Sequence, residues 1–190
     1  MAIVLASQSP RRQELLARIG VEDFKTLSLD IDESYPEGLS PEDTVRYIAK
    51  KKCDAAAALC APDDLIITAD TMVFLGNDRL GKPRDEEDAL RMLRELSGRA
   101  HTVCTGVSVR RGETSELFAV STRVFFRPMT DDEIRAYIKT GEPMDKAGAY
   151  GVQSRGALFV ERIDGDFFNV MGLPVEQLGL VLARFGVKLL

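Results

Sequence analysis

Apolar positions along this chain change spacing several times, and each change marks an element. Ile3 to Ala6 is a short apolar run of strand length, followed at once by Ser7-Gln8-Ser9-Pro10-Arg11-Arg12. Ser9 is a good helix N-cap and Pro10 suits the first helical position. Leu15, Leu16 and Ile19 then recur at helical spacing, and Gly20 is a natural stop. A longer helix is predicted from about Pro41 to Leu59, capped by Ser40, with Val45, Ile48, Ala49, Ala56 and Leu59 on one stripe. Leu65 to Leu75 reads as one strand or a bent pair of strands. Asp85 to Leu96 is a scaffold helix with an acidic first turn and Gly98 beyond its end. Thr102 to Arg110 and Leu117 to Phe126 alternate as an antiparallel pair around Gly112, and Thr130-Asp131-Asp132-Glu133 is a capping box for a helix ended by Gly141 and Pro143. Gly156 to Ile163, the turn Asp164-Gly165-Asp166 and Phe167 to Met171 predict a hairpin, and Pro174 opens a last helix ending before Gly186.

The polar residues that break this pattern carry the candidate chemistry. Arg11 and Arg12 stand in a first helical turn, where a cation opposes the macrodipole at about 0.3 to 1 kcal/mol unless a bound anion reverses the sign. Exposed backbone N–H groups, serine hydroxyls and guanidinium forks there suit a polyphosphate; the alternative is a solvated surface turn. Lys52 falls on the apolar stripe of the second helix. Either its stem packs while its ammonium reaches water, or its charge points into a cleft. Asp70 interrupts an apolar run and must be paired, hydrogen-bonded, metal-bound or at a site edge. Gly76 to Lys82 matches the start of a P-loop, but Pro83 replaces the hydroxyl residue and no helix opens at Lys82, so a Walker A site is rejected; Lys82 retains the option of meeting phosphate by another geometry. Asp145 to Gln153 is too rich in Gly and Ala for a core strand and too apolar for a linker, as befits a wall that a ligand approaches closely.

Composition narrows the partners. At 190 residues, 45% hydrophobic and 29% charged, the chain suits a single soluble domain spanning 1–190. A net charge of -5 argues against a general nucleic-acid binder and leaves room for a small phosphate ligand in a local basic pocket. Met1 to Ala6 lacks the basic start and the length of a signal peptide or membrane span, so a cytoplasmic location is expected. Cys53, Cys60 and Cys104 form no CxxC pair and read as small apolar residues, and His101, the sole histidine, as a strand-end polar residue.

One ordered set of motifs goes further: Leu5 to Arg12 with Glu14-Leu15-Leu16, Asp32-Glu33, Lys52, Ala69-Asp70-Thr71, Gly81-Lys82-Pro83, Leu96-Ser97-Gly98-Arg99 with His101, Thr105-Gly106-Val107, Ala147 to Gly151, and Asn169 to Pro174. Over essentially the whole chain it resembles the Maf or septum-formation family of nucleoside triphosphate pyrophosphatases. The resemblance implies an ITPase-like α/β fold, with a mixed twisted sheet flanked by helices and two lobes around a nucleotide cleft. It implies that Asp70 is the proton acceptor, supported by Lys52 and Lys82. By the same resemblance Ser7, Arg11, Glu33, Lys52 and Lys82 line the phosphate and metal region, while Arg12, Thr71 and Gln153 tune base selection. Mg²⁺ or Mn²⁺ on Glu33 and Asp70 is the implied cofactor. Pro10-Arg11-Arg12, Thr71 and Gln153 look like the branch acting on dTTP and UTP. A branch preferring 7-methyl-GTP, and a nucleotide-binding regulator of septum formation with little turnover, stay open as alternatives. Cys53 and Met171 depart from the family's usual Ala and Val by small changes of size. A homodimer is one admissible assembly, with neither nucleic acid nor membrane as a partner.

Overall fold

A computed structural model describes residues 1–190. Strands β1 (Ile3–Leu5), β2 (Phe24–Thr26), β3 (Leu65–Leu75), β4 (Asp78–Leu80), β5 (Ala100–Arg111), β6 (Thr114–Phe126) and β7 (Val160–Asp164) alternate with helices α1 (Pro10–Arg18), α2 (Pro41–Ala57), α3 (Glu86–Leu96), α4 (Asp131–Ile138), α5 (Phe167–Met171) and α6 (Val175–Arg184). They form one seven-stranded sheet ordered β2-β1-β3-β5-β6-β7, with β4 hydrogen-bonded to β3. No helix is long and apolar enough to cross a membrane. The chain divides into two compact units, and β3, β5 and β6 contribute residues to both.

The first unit comprises Met1–Asp70, Thr105–Val120 and Gly172–Leu190. Here β1 runs parallel to both neighbours, Ile3 opposite Phe24 on one side and Leu65 on the other. Parallel strands need crossovers, which α1 and α2 supply. The apolar stripes foreseen for these helices are buried: Leu15 and Leu16 of α1, and Val45, Ile48, Ala49 and Ala56 of α2, are at most 1% exposed. Leu59 differs, being 66% exposed, because α2 ends at Ala57 and the turn that follows carries Leu59 off the stripe. Two contacts fix α2 on the sheet. The Thr68 hydroxyl donates to the Ala49 carbonyl at 2.7 Å, and Gly106 of β5 lies so close to α2 that a Cβ there would sit 2.3 Å from the Val45 carbonyl oxygen. Leu65–Leu75 is one unbroken strand.

The second unit comprises Thr71–Cys104 and Ser121–Met171. A tight Gly76-Asn77 turn returns β3 into β4, Leu75 opposite Asp78, and no helix opens at Lys82, α3 starting only at Glu86, in keeping with the rejection of a P-loop. The capping box of α4 forms as expected from Thr130 and Glu133. His101, read as a strand-end residue, is buried on β5, its Nε2 2.8 Å from the Tyr150 hydroxyl and its ring edge-on to Phe126. The hairpin predicted over residues 156–171 does not form. Only Val160–Asp164 is a strand, paired antiparallel with β6, whereas Phe167–Met171 is a short helix. The Asp166 carboxylate accepts from the Phe168 amide at 2.7 Å and satisfies the first turn of that helix, an alternative to a strand ladder that Asp offers readily.

Candidate active site

Four sequence-predicted residues of the first unit, Glu33, Lys52, Asp70 and Arg12, converge around the end of β1 and the middle of β3. Lys52 lies about three turns into α2 on the face turned toward β3, and its side chain is 14% exposed. Its ammonium does not escape to water: Nζ is 2.7 Å from Asp70 Oδ1 and 2.8 Å from Glu33 Oε1. Asp70 is buried, with Oδ2 free of any hydrogen bond. A buried carboxylate oxygen without a partner is expensive, so a structure retains one where something else is to be met. Glu33 is more exposed and is placed by its neighbours. Asp32 accepts from the Ser34 amide at 3.0 Å and from the Ser34 hydroxyl, and Lys51 of α2 reaches Asp32 at 3.2 Å. Hydrogen bonds from Ser34, then from Lys51, pull the Asp32 carboxyl down to about 2.

Arg12 is tied to three points. Its Nε donates to the Gly172 carbonyl at 2.8 Å, and Nη1 donates to the Ala69 carbonyl at 2.9 Å and to the Ser7 hydroxyl at 3.3 Å. The fork thus joins the start of α1, the residue before Asp70 and the segment leading into α6, which a lysine could not do. Burial draws the Arg12 guanidinium below its usual pKa, opposed by the charges of Asp70 and Glu33 and reinforced by Arg11. Helix α1 is also unlike the other helices of comparable length. Helices α2, α3, α4 and α6 each carry an acidic residue in the first turn, whereas α1 carries none, and Ser9 makes no side-chain cap. The surface-turn account of Arg11 and Arg12 therefore does not describe Arg12, which is built into the fold.

The structure places Thr71, Lys82 and Gln153 in the second unit. Thr71 follows Asp70 in β3 and is half-buried; Lys82 is exposed, beside Gly81, whose carbonyl accepts from the Gly148 amide at 3.1 Å. Gln153 is exposed on the turn after Tyr150. The 145–153 stretch, expected to be a wall, holds one 3₁₀ turn, Ala147–Ala149, followed by extended backbone at Tyr150 and a turn over 152–154. Gly148 and Ala149 both have positive φ, 70° and 60°, and a Cβ added at Gly148 would stand 3.0 Å from the Val73 side chain. Sequence reasoning missed two supporting residues. Lys51 braces Asp32 next to Glu33, and Glu142 gathers the 151–156 turn; both are charged residues of ordinary appearance whose partners are distant in sequence.

The donor set suits a hard divalent cation. Glu33 and Asp70 offer oxygen only, Asp70 Oδ2 is unpartnered, and no cluster of three or more His, Cys, Asp or Glu residues is present. Glu33 and Asp70 are the residues that could hold such a cation, in the way that Mg²⁺ is usually held by one or two carboxylates plus substrate phosphates and water.

Comparison with known proteins identifies the family. A protein of Bacillus velezensis named dTTP/UTP pyrophosphatase is 47% identical over 186 residues, covering 98% of this chain and 97% of its own. Proteins of the same name from Geobacillus sp. and Bacteroides fragilis are each 48% identical, over 97% and 93% of this chain and 98% and 92% of theirs. Among solved structures, a HAM1 protein from Coxiella burnetii matches 97% of this chain and 99% of its own with a TM-score of 0.54 and 14% identity, a likeness of fold. The Maf-like protein profile matches residues 2–185, and this chain belongs to that family.

Proposed function

We propose that this protein is a nucleoside triphosphate pyrophosphatase that hydrolyses dTTP and UTP to the monophosphate and pyrophosphate. Relatives of that name at 47 to 48% identity over nearly the full length support the activity. The observation that carries the chemistry is the division of labour on one carboxylate: Lys52 neutralises Asp70 Oδ1, while Oδ2 is left to accept a proton.

In this scheme Asp70 Oδ2 orients a water and takes its proton as the water oxygen bonds to the α-phosphorus. The bond to the bridging oxygen breaks, and pyrophosphate leaves with the electron pair. Negative charge grows on phosphate oxygens in that step, so fixed cations and amides that need no reorganisation lower its barrier. Arg11, the first-turn amides of α1 and the Ser7 hydroxyl supply such groups, with Arg12 holding their geometry; Lys82 adds a further ammonium. Mg²⁺ or Mn²⁺ on Glu33 and Asp70 would supply Lewis-acid neutralisation of the phosphate oxygens. Thr71 and Gln153 read the base. The Gln153 amide offers both a donor and an acceptor, which a pyrimidine edge requires.

The test is pyrophosphate release from dTTP, UTP, ATP, GTP and 7-methyl-GTP with Mg²⁺ or Mn²⁺. Metal-dependent release, fastest in kcat/KM for dTTP and UTP, is expected. Nucleotide binding without release would favour a regulatory protein, and a preference for 7-methyl-GTP would overturn the base assignment.

A further inference from the structure

Gln153 sits in a turn whose ends are gathered by a single side chain. The Glu142 carboxylate, seated in a 3₁₀ turn after α4, accepts four hydrogen bonds. Its Oε1 takes them from the Tyr137 hydroxyl at 2.7 Å, the Ser154 hydroxyl at 2.7 Å and the Gly156 amide at 3.2 Å, and its Oε2 takes one from the Arg155 amide at 3.3 Å. Tyr137 in turn accepts from the Gly151 amide at 3.0 Å. The carboxylate is therefore linked to residues 154–156 directly and to residue 151 through one hydroxyl, with Gln153 between these anchors.

The packing leaves no slack. A Cβ on Gly151 would meet Glu142 Oε1 at 3.1 Å, and one on Gly156 would meet the Gly151 carbonyl oxygen at 2.6 Å and the Tyr137 hydroxyl at 2.9 Å. Glu142 is itself held, since Lys146 Nζ donates to its carbonyl at 2.7 Å and its amide donates to the Thr140 hydroxyl at 3.2 Å. Burial alone would raise the Glu142 pKa, but the bonds from Ser154, Tyr137, Gly156 and Arg155 outweigh it and leave the carboxyl below its usual range. Four donors around one group need an acceptor without protons of its own, which is an ionised carboxylate and not an amide.

We propose that Glu142 is the positioning residue for base recognition: by closing the 151–156 turn it sets where the Gln153 amide stands and so which nucleotide the enzyme prefers. This rests on the assignment of Gln153 as a base reader. Glu142 touches no reacting atom in this scheme, and its loss acts on the choice of base and on KM, with the phosphate chemistry preserved.

The experiment compares kcat and KM for dTTP, UTP and GTP in wild type, Gln153→Ala, Glu142→Ala, Glu142→Gln and Ser154→Ala, with amide exchange measured on the same proteins. In Glu142→Ala the preference for dTTP over GTP should fall about tenfold or more, chiefly through KM, in line with the cost of small misplacements. The amides of Arg155 and Gly156 should exchange faster, with exchange elsewhere unchanged. Glu142→Gln, which turns an amide donor toward its neighbours, should lie between wild type and Glu142→Ala, and Ser154→Ala should shift the preference less in the same direction. Should Glu142→Ala not fold, these two variants carry the comparison. A preference lost in Gln153→Ala but intact in folded Glu142 variants overturns the role of Glu142 alone, as does unchanged exchange at Arg155 and Gly156. A wild type with no pyrimidine preference overturns the assignment of Gln153, and with it the proposal.

Discussion

Lys52 Nζ lies 2.7 Å from Asp70 Oδ1, and the other oxygen of that carboxylate is buried without a partner. The two residues come from α2 and β3, eighteen positions apart, and their coupling is what the unfolded chain cannot hold. Removing one partner of a buried pair leaves the other charge uncompensated, whereas removing both need cost little. Lys52→Met should therefore destabilise the protein by about 3 kcal/mol, even though Met retains the packing of the stem. Lys52→Met/Asp70→Asn should recover much of that loss. Urea unfolding of the four proteins measures the coupling, and a Lys52→Met protein as stable as wild type would refute it.

Asp70→Asn keeps the shape of the side chain and removes its ability to take a proton. Glu33 remains as a partner for Lys52, so the fold should survive. Turnover should drop by about 10²- to 10⁴-fold, the usual contribution of a positioned acid or base. A folded Asp70→Asn protein with near-normal kcat would remove Asp70 from the chemistry.

Gln153→Ala isolates base reading from phosphate binding. Its side chain is exposed, so stability should change by less than about 0.5 kcal/mol. The kcat/KM advantage of dTTP and UTP over purine nucleotides should shrink by about 10- to 100-fold, with kcat for the poorer substrates little changed. An advantage undiminished by the substitution would mean that the base is read elsewhere.

Gly106→Ala tests how closely α2 must approach β5. The added carbon would stand 2.3 Å from the Val45 carbonyl oxygen, 2.4 Å from its carbon and 2.7 Å from the Arg46 amide, all backbone atoms that cannot rotate away. Overpacking of this kind costs about 1 to 3 kcal/mol or more. Because Lys52 lies further along the same helix, kcat should fall as well as Tm. Loss of stability with full activity would show that α2 can shift without displacing Lys52.

His101 gives the stability a pH window. Burial alone holds its pKa at about 4, below the ordinary 6.5. Between these values the unfolded chain binds the proton and the native one does not, so stability falls as pH drops from about 6.5 to 4 and changes no further on this account below that. The full effect is about 3 kcal/mol. His101→Gln should flatten the profile in that window, and a wild-type Tm independent of pH there would rule out the buried neutral ring.

Most elements were legible because their signals are local. Ser40, Thr130 and Pro10 announce helices through backbone groups within three residues, and the stripes of α1, α2 and α3 announce the faces that they bury. The hairpin over residues 156–171 was misread because Phe167, Phe168, Val170 and Met171 are as apolar as a strand requires. The bond from the Phe168 amide to the Asp166 carboxylate instead offers the backbone a helical first turn in place of a ladder.

Sequence by itself determined that Asp70 and Lys52 needed partners, since each places a charge in an apolar pattern, and that Arg11 and Arg12 stood against a helix dipole. Only the tertiary structure decided that Asp70 and Lys52 are each other's partners, that Glu33 is the third member, and that the Arg12 fork spans Ser7, Ala69 and Gly172. It alone also showed that Glu142 holds the turn carrying Gln153. The physical reason is range. A propensity or a dipole acts within a turn or two of chain, while a hydrogen bond between residues 57 or 160 positions apart exists only after the core has brought the Arg12 guanidinium within 3 Å of the Ala69 and Gly172 carbonyls.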